Sequence, residues 1–135
     1  MKIRFSSFCV LFALGVASAG ATAQVVVVGA KSAIGTMSKE EVVAAFMGKI
    51  PGLEPLDQAE GSSIREEFYA RGVGKSASQM KAYWAKQSFT GKGTLPREYP
   101  GSAEVKRALS GNLLAIGYIE KAAVDPSVKV VFEGR

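Results

Sequence analysis

The sequence predicts an α/β domain in which a mixed or parallel sheet is flanked by helices. Three observations carry that prediction. Residues 25–28 are four consecutive valines stopped by Gly29, and a continuous β-branched run reads as a strand buried on both faces. A second apolar run, residues 113–119, reads the same way. Between such runs lie stretches with helical spacing that open on serine and close on glycine, and strands alternating with helices point to the α/β class.

In chain order, Ser38 and Glu41 form a capping box, in which a serine at the N-cap and a glutamate three residues on satisfy each other's backbone N–H groups. Val42, Val43, Phe46 and Met47 share one face of the helix that follows, and Gly48 with Pro51 ends it. Residues 53–56 are a strand candidate interrupted by Pro55. Gly61-Ser62-Ser63 opens a second helix, with Ile64 and Phe68 four apart on its inner side, and Gly72 and Gly74 close it. Ser76 or Ser78 starts a third, with Met80, Tyr83 and Trp84 as its apolar stripe and Lys81 and Lys86 facing water. Residues 89–99, rich in glycine and proline, read as a loop. Ser102 is expected to cap a fourth helix with Val105, Ala108 and Leu109 inward, and residues 128–132 are the last strand.

The first 23 residues read as an export signal. Lys2 and Arg4 precede an apolar run over residues 5–16, and Ala21-Thr22-Ala23 fits a signal-peptidase site. The run falls short of the roughly 20 apolar residues that a bilayer span needs. The expected organisation is a signal peptide over 1–23 and one α/β domain over 24–135, exported to the periplasm.

Composition narrows the chemistry. Cys9, the single cysteine, leaves with the signal, and the chain has no histidine. Disulfides, thiolate nucleophiles and the commonest metal ligands and acid–base groups are thereby removed. No catalytic residue, metal or cofactor is expected, and the protein reads as a non-enzyme. Without Lys2 and Arg4 the formal charge falls from +5 to +3, with the cations dispersed, which is no nucleic-acid footprint.

Two glycine-containing segments invite a phosphate reading. Gly72-Val73-Gly74-Lys75-Ser76 follows a helix, and Tyr69 stands where a P-loop needs its first glycine; the segment is read instead as a turn between helices. Gly61-Ser62-Ser63 has two readings. It is either an ordinary serine-capped helix start or an anion site, in which backbone N–H groups, serine hydroxyls and Arg65 converge on an oxyanion. Tyr83 and Trp84, at helical spacing with Met80, read as core rather than as a stacking pair for a ligand.

Taken in order, these segments resemble the phosphate-binding proteins of ABC transporters. Residues 38–49, SKEEVVAAFMGK, are similar to the family's L-S-x-x-x-x-x-x-I-F-x-G-K stretch. Gly61-Ser62-Ser63-Ile64 lies where the family has a Gly-Ser-Gly-Thr helix start, and Ala115-Ile116-Gly117-Tyr118-Ile119 matches its G-A-I-G-Y-V strand. Phe89-Thr90-Gly91-Lys92-Gly93 and Pro96-Arg97-Glu98 are similar to stretches of short, single-lobe relatives. The resemblance implies one lobe of the type II periplasmic-binding-protein fold. It also implies a solute-binding role with phosphate or a similar oxyanion held at Gly61, Ser62, Ser63 and Arg65. Of the family's ligand motif only Gly61 and Ser62 match: Gln58 stands in place of an arginine, Ser63 of a glycine and Ile64 of a threonine. A single lobe leaves the anion open to water, so a homodimer or a membrane transporter or sensor partner would be needed to close a cleft. The rival expectation is a ligand-free module that docks on such a partner.

Overall fold

A computed structural model describes residues 23–134. Residues 1–22, which include Cys9 and all but the last residue of the proposed signal peptide, lie outside the described residues. Five strands form one sheet: β1 (Gln24–Gly29), β2 (Glu54–Gln58), β3 (Arg97–Tyr99), β4 (Ala115–Glu120) and β5 (Val128–Glu133). Their order is β3-β2-β4-β1-β5. β2 runs parallel to both β3 and β4, whereas β1 is antiparallel to both β4 and β5. The sheet is therefore mixed. The valine run is central and buried, as its composition dictates, but it is the antiparallel strand, because burial on both faces does not fix strand direction.

Alternation along the strands divides the core in two. Val26, Val28, Ile116, Tyr118 and Val131 face α1 (Lys39–Phe46), α2 (Ser63–Phe68) and α3 (Ala77–Phe89). Val25, Val27, Leu56, Ala115 and Ile119 face α4 (Ser102–Gly111) through Val105 and Leu109. A β-carbon added at Gly117 would stand 2.7 Å from Val105 Cγ1, so the absent side chain is what lets α4 lie against β4.

The capping box read at Ser38 is present, and a second one opens α3. Ser38 and Glu41 exchange bonds at the start of α1, and Ser76 does the same with Gln79 at the start of α3. Met80 and Trp84 are buried, and Tyr83 packs beside them with its hydroxyl donating to Met47 O at 2.6 Å. The segment around Gly72 and Gly74 is a turn between helices: α2 continues into a π-helical turn, Tyr69–Val73, and Gly74 closes it in the left-handed conformation.

Several local expectations need correction. Residues 89–99 are not all loop: Phe89 ends α3, and Arg97–Tyr99 is an edge strand too short and too exposed to show a period. The second strand starts at Glu54, not at residue 53, and runs through Asp57 and Gln58. The fourth starts at Ala115, because Leu113 and Leu114 are exposed in the turn before it. Ser102 does not cap α4. Gly101 is the N-cap, and the Ser102 hydroxyl bonds the Glu120 carboxylate across the layer.

Candidate functional site

The parallel strands β2, β3 and β4 end at one edge of the sheet, and the loop from β2 into α2 carries Gly61-Ser62-Ser63 over that edge. In open α/β sheets the crevice beyond the carboxyl ends of parallel strands is the usual ligand position. Gly61 takes φ +82°, with open space where a side chain would stand. Ser63 is exposed and Ser62 half-buried. Ser62 occupies the N-cap position but makes no capping bond; its hydroxyl donates to Ala59 O at 2.6 Å.

Arg65 points inward, into a cluster of charge. Its side chain is nine-tenths buried. Nη1 donates to Gln58 O at 3.0 Å and to Glu98 Oε1 at 2.6 Å, which uses both of its protons. Nε lies 3.8 Å from Asp57 Oδ1, an ion-pair distance without a hydrogen bond, and is left buried with no hydrogen-bond partner. Burial pulls the guanidinium pKa down, but the bond to Glu98 and the charge of Asp57 outweigh it and hold the group more firmly protonated.

Asp57 is the centre of a buried polar network. Its carboxylate accepts from the hydroxyls of Tyr69 and Tyr118 and from Gln58 N at 2.8 Å. Gln58 Nε2 in turn donates to Tyr118 O at 2.9 Å and to Ser102 Oγ at 3.2 Å. Removal from water, and then the charge of Asp57, push both tyrosine hydroxyls well above the ordinary range. They are donors locked in the neutral form. The π-helical turn is what buries Tyr69 beside Arg65, whose guanidinium carbon stands 5.4 Å from the ring centre. Phe68 stacks on Tyr118 at 4.0 Å between centroids and closes the network off from the core.

The four anticipated residues thus lie on one turn but do not converge. Gly61 and Ser63 are exposed and Ser62 is half-buried against Ala59 O, whereas Arg65 is already committed to protein oxygens. The sequence reading missed Asp57 as a hub, Glu98 as the partner of Arg65, and Tyr69 and Tyr118 as donors. A polar Asp-Gln pair ending an apolar strand was the one local signal; the strand pairing that sets Glu98 beside Asp57 had none.

Chemically, the cluster is a cation flanked by two carboxylates and two hydroxyl donors. Among the described residues no group of acidic, cysteine or histidine side chains is placed to hold a metal. Elsewhere, a cleft of about 690 Å³ opens at the amino end of β2, walled by Trp84, Leu53, Pro55, Leu95 and Arg97. It lies at the opposite edge of the sheet from Gly61.

No protein-family model and no curated protein matches this chain. Solved structures do. An ABC-type phosphate transport receptor from Vibrio cholerae superposes with TM-score 0.63 at 16% identity, over 81% of this chain and 45% of that one. A Clostridium perfringens protein described as a phosphate ABC transporter substrate-binding protein, with bound phosphate, gives 0.65 at 21% identity, over 81% and 44%. PstS from Borrelia burgdorferi gives 0.59 at 12% identity, over 81% and 46%. The chain therefore spans a little under half the length of the structures it matches, and what it shares with them, at these identities, is the α/β fold of that part.

Proposed function

We propose that this domain is a non-enzymatic periplasmic solute-binding lobe that takes phosphate or a similar oxyanion weakly at the turn formed by Gly61, Ser62, Ser63 and Arg65. The observation that carries the proposal is a positional one. In a fold shared with phosphate transport receptors, an open glycine–serine turn follows β2 at the carboxyl ends of three parallel strands, and the guanidinium of Arg65, in the helix it opens, is bonded to Gln58 O at the end of β2. The hydroxyl of Ser63 and the remaining guanidinium donors would supply hydrogen bonds to the anion, and Ser62 would exchange its bond to Ala59 O for one to the ligand. Phosphate would be titrated calorimetrically into the purified protein with sulfate as control. Saturable, phosphate-selective heat that is lost in the Ser62→Ala, Ser63→Ala double variant supports the proposal. An affinity unchanged by the double variant removes it.

One observation favours a second reading, a ligand-free module docking on a membrane transporter or sensor. Arg65 is already neutralised within the chain by Asp57 and Glu98. Absence of heat at millimolar phosphate, together with recovery of a membrane partner by crosslinking in the periplasm, would make that reading the better one.

A further inference from the structure

Resting on the anion-binding reading above, we infer that Glu98 sets the anion affinity of this lobe. Its carboxylate occupies, from within the chain, the guanidinium edge of Arg65 that an incoming oxyanion needs. Asp57 on β2 and Glu98 on β3 are direct partners in a parallel pair. Registered residues of neighbouring strands project from the same face and stand about 4.8 Å apart. Two carboxylates are thus set side by side, an arrangement that is unfavourable unless a cation lies between them, and Arg65 is that cation.

The two carboxylates are not equivalent. The Asp57 side chain is 6% exposed and held by two tyrosine hydroxyls and a backbone N–H, whereas that of Glu98 is 46% exposed. Among the hydrogen bonds formed by the described residues, Nη1 of Arg65 is the one donor that the Glu98 carboxylate finds. Glu98 also sits on a three-residue edge strand whose single neighbour is β2. Asp57 is therefore part of the framework, and Glu98 is the ligand that can leave. A tetrahedral oxyanion and a carboxylate present a guanidinium with the same kind of acceptor oxygens, so they compete for it directly. While Glu98 stays, two negative charges surround one positive charge, and an arriving anion meets net repulsion. With Glu98 displaced or neutral, the charges balance and Nη1 regains a donor for the ligand.

Inorganic phosphate titrated into wild type, Glu98→Gln and Glu60→Gln separates the possibilities. Glu60 carries a charge near the same turn but pairs with Lys81 in solvent, so Glu60→Gln controls for a change in overall charge. The expected result is binding at least tenfold tighter in Glu98→Gln than in wild type, or binding seen in Glu98→Gln alone, with Glu60→Gln within threefold of wild type. Equal affinity in wild type and Glu98→Gln would overturn the inference while leaving the anion reading in place. An equal gain in Glu60→Gln would overturn it too, since bulk charge would then be the cause. No binding in any of the three sinks both. Glu98→Ala, which leaves no amide oxygen for Nη1, must shift affinity in the same direction and serves if the glutamine variant does not fold.

Discussion

Arg65→Met tests whether the buried guanidinium is a structural counter-ion. Methionine fills much of the arginine stem's space, so the substitution removes charge and donors with little loss of volume. Three losses follow from the geometry. Gln58 O, buried, loses its donor at 3.0 Å, which costs about 1–3 kcal/mol for an orphaned polar group. The contact with Glu98 is half open to solvent and contributes about 0.2–1 kcal/mol. Asp57 loses its nearest positive charge at 3.8 Å. Breaking a buried pair costs about 3–5 kcal/mol when the remaining charge is uncompensated, but Asp57 keeps three hydrogen-bond donors, so only part of that applies. A total near 3 kcal/mol is expected, read from urea unfolding followed by circular dichroism. Asp57→Asn, Arg65→Met should lose at least about 1 kcal/mol less than the sum of the single variants, because the stranded charge is gone. A loss below about 1 kcal/mol in Arg65→Met, or strict additivity in the pair, would refute the account of Arg65 as the counter-charge of this network.

Three further outcomes are expected. Gly117→Ala should cost about 1–3 kcal/mol by overpacking against Val105 Cγ1, and adding Val105→Ala should recover part of that loss in the same urea assay; an unchanged midpoint in Gly117→Ala would show that α4 is free to shift. Ser38→Ala and Ser76→Ala each remove a capping box and should each lower stability by about 1 kcal/mol, with sites far enough apart for the two losses to add. Tyr69 and Tyr118 have hydroxyl pKa values raised in the folded state, so the folded form retains protons that the unfolded form gives up near pH 10. Stability from this source is complete below pH 10 and falls as pH rises above it. Tyrosinate absorbance near 295 nm should accordingly reach its full four-tyrosine amplitude only as the protein unfolds; full amplitude with native circular dichroism would count against burial of the two hydroxyls.

What the sequence disclosed was mainly local chemistry. The capping box at Ser38 depends on residues three apart, and the buried faces of α1 and α3 follow from helical spacing; the second box, Ser76 with Gln79, settles which of two serines starts α3. The four-valine run announced its own burial without announcing its direction, since an antiparallel strand covered on both faces carries the same apolar run as a parallel one. Ser102 and Ser62 were misleading for a shared reason. A serine before a helix can bond its own first turn or something else, and here Glu120 and Ala59 O are the partners that won. The network around Asp57 was out of reach because it is non-local: Tyr118 and Glu98 come to Asp57 through strand pairings, and no spacing in the chain encodes a register across the sheet. Arg65 was singled out from its place in the first turn of α2, but its inward direction depends on those same pairings.

The antiparallel placement of β1 also bears on when the fold can form. β1 is the first described strand of the chain, yet both of its neighbours, β4 and β5, are the last two, with Gln24 opposite Glu120 and Val25 opposite Glu133. Contacts so distant along the chain slow folding, because the ends must meet before any pairing energy is gained. As the chain is made, four bare valines must wait for residues 115–133. An early pause, or a stop before residue 128, leaves one whole edge of the valine strand unpaired, open to a second unfinished copy. Residues 128–133 thus decide whether residues 25–28 become core or aggregate.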